Sequence, residues 1–231
     1  MNCIAVIPAR AGSKRIANKN IYEILGKPAI SYAILNAISS GLFKRVYVST
    51  DSPQIASIAE SYGATVGIPR NQNLSGDHAT TIDVISGFIN SDLDPQHYPD
   101  FICCIYPVTP LLTQDRLHEG FKLVSKYPSD FILASIPSNS HPERIFSVNN
   151  DLQIIFKHTE KAEYRTQDLG RLFQDAGQFY WGTTHSWLSK SSILGSSCRS
   201  VKLAKHEVID VDDIEDMKLV ELLLKAKTRN W

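Results

Sequence analysis

The stretch IPARAGSKRIANKNI, Ile7 to Ile21, carries Arg10, Lys14, Arg15 and Lys19, and no acidic residue precedes Glu23. Cations set so close together repel one another unless they face something negative. The small residues Ala11-Gly12-Ser13 sit among them. Small side chains let backbone N–H groups approach a ligand, and concave backbone of this kind cradles anions. Arg10 and Lys19 bracket the cradle with the charge that a triphosphate demands. The plain alternative is a solvated basic loop. The position after a buried strand, the small residues and the missing acids together favour a phosphate site.

A second constellation lies near the other end of the chain, in VIDVDD, Val208 to Asp213. Read as the end of a strand, it points Asp210 and Asp212 to the same side. Two carboxylates on one face can hold a hard divalent ion such as Mg²⁺. Asp213, at the mouth of a helix, reads as that helix's cap. Capping accounts for one or two acids but not for the alternating pair. A basic cradle and a carboxylate pair together describe phosphoryl or nucleotidyl transfer. GSK does not complete a GxxxxGK[ST] P-loop, and no GxGxxG dinucleotide turn follows the first strand.

The elements that must position these groups alternate along the first part of the chain. CIAVIP, RVYVST, ATVGI, DFICCIYP and DFILASIP read as strands. Between them, PAISYAILNAISSG, SPQIASIAESYG, ATTIDVISGFIN and TQDRLHEGFKLVSKY read as helices, the first two closed by Gly41 and Gly63. Strands that are apolar on both faces, separated by amphipathic helices, predict an α/β fold, a Rossmann-like mostly parallel sheet covered on two sides. In such sheets ligands bind at the carboxyl ends of the strands. The pattern changes near Ser138. RIFSV and LQIIF flank Asn149-Asn150-Asp151, a hairpin turn. Residues from about 138 to 175 read as an insertion in a single domain. The chain returns through VKLAKHEVIDV as strand and ends in a helix from about Asp213, with Ile214, Met217, Val220 and Leu224 on one face.

Composition bounds the function. The 24 Lys and Arg balance 24 Asp and Glu, which argues against a general nucleic-acid binder. No apolar run spans a bilayer and no signal peptide opens the chain, so a cytoplasmic protein without a membrane role is expected. Cys3, Cys103, Cys104 and Cys198 show no CxxC and read as reduced thiols, the first three buried.

These residues also resemble a known family. IPARAGSKRIANKN is similar to the first motif of the CMP-sugar synthetases, the cytidylyltransferases for sialic-type acids, whose usual form is close to IPARGGSKGIPxKN. IDVDD resembles their IDIDxxxD segment, IPRNQNLSGDHATTIDVI their RPxxLAxDxAxxIDVI, and YPVTPLLT their QPTSPLR. FQDAGQFYWG, Phe173 to Gly182, resembles the form found in pseudaminic acid cytidylyltransferases.

The resemblance implies a nucleotide-diphospho-sugar transferase-like fold, Mg²⁺ dependence and a homodimer joined through the inserted subdomain. It implies attack by the anomeric hydroxyl of a nonulosonic acid on the α-phosphate of CTP. Arg10, Ala11, Gly12, Ser13, Lys14, Lys19, Asn20, Arg70 and Thr81 match nucleotide contacts. Arg10, Lys19 and Asp212 would act in catalysis, and Asp210 and Asp212 would hold metal. Tyr106, Thr109, Gln178, Phe179 and Tyr180 would lie at the sugar acid. Arg144, Lys157 and Arg165 are candidates for its carboxylate, and His141 and His158 share their region. Trp181 reads as core. Tyr106 and Leu112 depart from the family's glutamine and arginine, and Ala17 and Asn18 replace its proline and a variable residue. Activation of N-acetylneuraminic or legionaminic acid is the near alternative, and a nucleotide-binding protein without turnover the distant one.

Overall fold

The computed structural model describes residues 1–13, 15–76, 79–138, 140–142, 145–156, 163–165, 170–189, 192–195 and 197–228. Its first strand explains its architecture. In β1 (Cys3–Pro8), Ile4 and Val6 pack on one side of the sheet while Ala5 and Ile7 pack on the other. A strand with apolar residues on both faces needs a layer on each side.

The chain supplies both layers. In order it forms β2 (Glu23–Ile24), β3 (Lys27–Pro28), α1 (Ala29–Ser39), β4 (Arg45–Ser49), α2 (Pro53–Ser61), β5 (Thr65–Val66), α3 (Gln72–Ser75) and α4 (Thr81–Asp92). There follow β6 (Phe101–Ile105), α5 (Gln114–Lys126), β7 (Phe131–Pro137), β8 (Phe146–Val148), β9 (Ile154–Phe156) and β10 (Phe173–Thr183). The last elements are α6 (Thr184–Ser189), β11 (Cys198–Lys202) and α7 (Ile214–Thr228). A seven-stranded sheet has the order β11-β7-β10-β6-β1-β4-β5. Its strands run parallel except β10, which pairs antiparallel with β6 and β7. This is the expected α/β class.

One apolar layer joins residues of α1 and α5 to the sheet through Ile30, Ile34, Leu117 and Val124, with Phe179 and Trp181 of β10 fully buried among them. The other packs Ile82, Ile85, Phe88 and Ile89 of α4 on Val6, Ile102 and Cys104. Burying a side chain of this size stabilises by about 1.5–3 kcal/mol each before entropy is subtracted. A smaller third cluster joins Ile16 and Ile24 to Val211, Met217 and Val220. It fastens the acidic segment and α7 against the basic loop.

The helix starts are specified locally. Thr80 caps α4, accepting from Asp83 N–H while the Asp83 carboxylate accepts from Thr80 N–H, a reciprocal box. Gly41 and Gly63, with φ of 66° and 90°, turn the chain out of α1 and α2. The thiols of Cys3, Cys103, Cys104 and Cys198 are free, and burial pushes Cys3 up to about 11.

Two expectations are corrected. β11 ends at Lys202, so Val208–Asp213 lies outside any ladder rather than at a strand end. Ile214 is 42 % exposed, while Met217 and Val220 are buried as expected and Leu224 packs partly buried beside them. The main sheet is left after Pro137 and resumes at Phe173, opposite Pro137. Within the intervening segment β8 and β9 pair as a separate hairpin, closed by the ring contact of Phe146 with Phe156.

Candidate active site

The carboxyl ends of β1 and β6 open into one cleft, and the end of the neighbouring parallel strand β4 holds Arg70 in its lining. Arg10 follows β1, Thr50 and Asp51 follow β4, and Tyr106 follows β6. The cleft holds about 600 Å³ and is lined by Arg10, Ser13, Arg15, Lys19, Asn20, Arg70 and Tyr106, with Leu74, Gly76 and Ala79 along one wall.

The basic loop is held by its own backbone. Ala9 N–H donates to Ser49 O at 2.9 Å, and the buried Asn20 donates from Nδ2 to Arg10 O at 2.9 Å. Ala11 N–H donates to Asp51 Oδ1 at 2.9 Å and Ser13 N–H to Ala11 O at 3.0 Å. These two N–H groups, expected to face a ligand, are therefore engaged within the protein. A side chain at Gly12 would meet nothing within 4 Å, so the loop is open there. The missing counter-charge arrives from distant chain. Asp51 meets the loop's backbone, and Asp212 pairs with Arg15 at 2.6 Å.

Arg70 lies across from Arg10. Its Nε donates to Ser49 Oγ at 3.2 Å, its Nη2 to Ser49 O, and its backbone N–H to Thr50 O. The guanidinium is thus oriented by the end of β4. Burial presses its proton affinity down, while the nearby Asp51 pushes it up. Arg10 donates from Nη1 to Ser75 O at 3.4 Å.

The acidic segment approaches through Lys19, whose Nζ donates to Val211 O. Burial lowers the Lys19 pKa, and Asp210, Asp212 and Asp216 oppose that shift. The acids thus gather around the lysine even though no strand aligns them. Asp213 caps α7 as expected, accepting from the N–H groups of Glu215 and Asp216. Asp216, at the last position of the IDxDxxxD spacing, was not singled out from the sequence. Its carboxylate turns inward to accept from Asp212 N–H at 2.7 Å and Asp213 N–H at 3.0 Å. Among the described residues no group of three or more His, Cys, Asp or Glu is placed to hold a metal.

Tyr106 stands between this charged cleft and two smaller hollows. Its hydroxyl lies 2.8 Å from Thr81 Oγ1, and its ring 5.3 Å from that of Tyr180. Tyr180 donates to Asp175 Oδ2 at 2.7 Å. Burial raises the pKa of both tyrosines, Tyr180 strongly, so both keep their protons. A hollow of about 240 Å³ is bounded by Thr81, Tyr106, Asp175, Tyr180, Ile193 and Leu194. A second, of about 90 Å³, is bounded by Lys19, Tyr106, Gln178 and Asp210.

Not every expected residue reaches these spaces. Phe179 is fully buried in the core on the opposite face of β10, because alternate strand residues point to opposite sides. Thr109 is buried and donates to Tyr106 O at 3.0 Å, so it shapes the turn after β6. Leu112 is core, and so is Trp181, as read from the sequence. Arg165 is exposed, and His141 is buried. Lys14, Arg144, Lys157 and His158 lie outside the described residues. Asp51, Asp175 and Asp216 escaped the sequence reading. Asp216 alone carried a signal, its spacing from Asp212.

Residues 4–222 match the cytidylyltransferase family. The chain is 36% identical over 226 residues to a pseudaminic acid cytidylyltransferase of Campylobacter jejuni, covering 98% of this chain and 97% of that protein. It is 29% identical over 218 residues to an N-acylneuraminate cytidylyltransferase of Streptococcus agalactiae, covering 94% of this chain and 52% of the other. Its fold is similar to a CMP:2-keto-3-deoxy-manno-octonic acid synthetase solved with CTP, with a TM-score of 0.70 and 17% identity over 98% of this chain and all of that one.

Proposed function

The chain belongs to the cytidylyltransferase family, and from that premise we propose that it transfers CMP from CTP to the anomeric hydroxyl of a nonulosonic acid, pseudaminic acid, releasing pyrophosphate. The observation that carries this reading is the meeting of Arg10, Arg70 and Lys19 in one cleft with Asp210 and Asp212 beside Lys19. A triphosphate is a ligand whose charge offsets the mutual repulsion of these cations.

The residues have distinct tasks. Arg10 and Arg70 neutralise the phosphates and fix their orientation, Arg70 from a guanidinium already held by Ser49. Lys19 is placed between the cleft and the hollow that contains Asp210, so its ammonium can offset charge as the bond to pyrophosphate breaks. Asp210 and Asp212 fit a hard divalent cation. Asp212 already receives a positive group, the Arg15 guanidinium, at 2.6 Å. Held by these two carboxylates, Mg²⁺ would supply charge neutralisation at the α-phosphate. Thr81, Tyr106 and Tyr180 present neutral hydrogen-bonding groups to the acceptor.

The hairpin β8–β9 exposes Phe146, Val148, Ile154, Ile155 and Leu152, the last at 82 %. A two-stranded hairpin with this much open apolar surface needs cover. We assign that cover to a second copy of the chain, which light scattering on the eluting protein would report as a dimer. No helix among the described residues is long and apolar enough to cross a membrane.

The proposal predicts a specific product. With CTP, Mg²⁺ and pseudaminic acid, mass spectrometry should find a sugar linked to CMP, and excess EDTA should abolish it. A product that keeps two phosphates between sugar and cytidine would contradict the reaction.

A further inference from the structure

Gln178 is only 3 % exposed, and its Oε1 finds no hydrogen-bond partner among the described residues. Its Nε2 donates to Ala176 O at 3.4 Å. That contact fixes the amide, since the opposite orientation would set two acceptor oxygens against each other. A buried carbonyl left unpaired costs folding free energy, and one retained in a native fold calls for a reason.

The backbone around it is bent. Gly177 has φ 56°, the left-handed region, and the register of β10 against β7 shifts between Asp175 and Tyr180. Such a bulge re-aims the side chains that follow it. Tyr106 N–H then pins the strand by donating to Gln178 O at 2.9 Å. Gln178 is thereby brought to the hollow of about 90 Å³ that also holds Lys19 and Asp210.

We propose that Gln178 determines specificity by accepting a hydroxyl proton of the sugar acid in this hollow. The proposal rests on the reading of the chain as a CMP transferase acting on a nonulosonic acid. An acceptor oxygen takes a donor, O–H or N–H, and rejects a carboxylate. The hollow has room for a ring substituent, not for the whole acid. Lys19 also lines this hollow and can donate, so a hydroxyl bonded to both is drawn beside the residue that faces the phosphates. Nonulosonic acids that differ in the configuration of their ring substituents would present, or fail to present, that hydroxyl.

The test is Gln178→Met, which keeps the volume and removes the acceptor. The expected result has three parts. KM for pseudaminic acid rises tenfold or more, the CTP dissociation constant measured without sugar stays within twofold, and the melting temperature is unchanged or higher because an unpaired buried oxygen is gone. Preference for pseudaminic over N-acetylneuraminic acid should shrink with the first change. An active wild type and a Gln178→Met variant of unaltered KM would overturn this inference alone. A lowered melting temperature with weakened CTP binding would make the amide structural and overturn it too. A folded wild type inactive on every nonulosonic acid would remove the functional reading beneath it.

Discussion

On one side of Tyr106 the cleft is lined by Arg10, Arg15, Lys19 and Arg70, each reaching it from a loop braced by backbone carbonyls or carboxylates. On the other side hydroxyls and an amide predominate, Thr81, Tyr180 and Gln178, with Ile193, Leu194 and the Asp175 carboxylate, while Lys19 and Asp210 reach the Gln178 hollow from the charged side. The first side recognises by charge. It tolerates approximate geometry, because Coulomb attraction falls slowly with distance. The second recognises by neutral hydrogen bonds, which weaken steeply with angle and length. The charged side therefore suits a flexible triphosphate common to many reactions. The neutral side suits a rigid sugar whose hydroxyl configuration must be told from its relatives'. Tyr106, where the family's usual form has glutamine, is the wall between them.

Variants separate the two sides. The largest effect is expected from Asp212→Ala, which removes a carboxylate from beside Lys19. Turnover should fall on the order of 10²–10³-fold, the scale of losing one group that stabilises developing charge. The protein should remain folded by circular dichroism, and turnover within fivefold of wild type would remove Asp212 from the chemistry. Arg70→Met should weaken CTP binding about 10–100-fold, from the loss of charge-assisted bonds worth roughly 1.5–3 kcal/mol. Calorimetry with CTP alone measures this. A variant in which only the sugar KM changed would dissolve the distinction between the sides.

Tyr106→Phe is the sharper probe, since it deletes only the hydroxyl that meets Thr81. KM for the sugar acid should rise about fivefold, within the range of a single neutral hydrogen bond, while CTP affinity holds. An effect on CTP instead would place Tyr106 with the charged side. The smallest effect is expected from Thr80→Ala, which removes the cap that positions Thr81 at the start of α4. Stability should drop by about 1 kcal/mol, or a melting temperature lower by roughly 2–4 °C, with little change in turnover. The two Thr80 bonds hold the Asp83 carboxyl below its ordinary pKa. A carboxyl depressed in the folded state contributes stability above its unfolded pKa and loses it as pH falls through the folded value. The gap between Thr80→Ala and wild type should therefore narrow in acid.

The same division decides what could be read from the sequence. The charged side was legible because Arg10 to Asn20 is one continuous segment after one buried strand, and charge types are visible without coordinates. The parallel sheet was legible for a similar reason, since strands such as Cys3–Pro8 are apolar on both faces. The neutral side joins residues 81, 106, 175, 178, 180 and 193–194, which only the sheet order brings together. Phe179 was misplaced because the alternation of β10 could not be phased before its bulge was known. Asp210 and Asp212 were found, but for an imperfect reason. They converge on Lys19 through the packing of Val211 and Met217 against Ile16, not through a strand. Asp51 was invisible because its role depends on β4 lying next to β1.

The measurement that tests the account most directly is pyrophosphate release from CTP with Mg²⁺, compared among pseudaminic, N-acetylneuraminic and legionaminic acids. The account predicts release with pseudaminic acid at a kcat/KM at least tenfold above the other two. A folded protein that binds CTP yet releases no pyrophosphate with pseudaminic acid would contradict it.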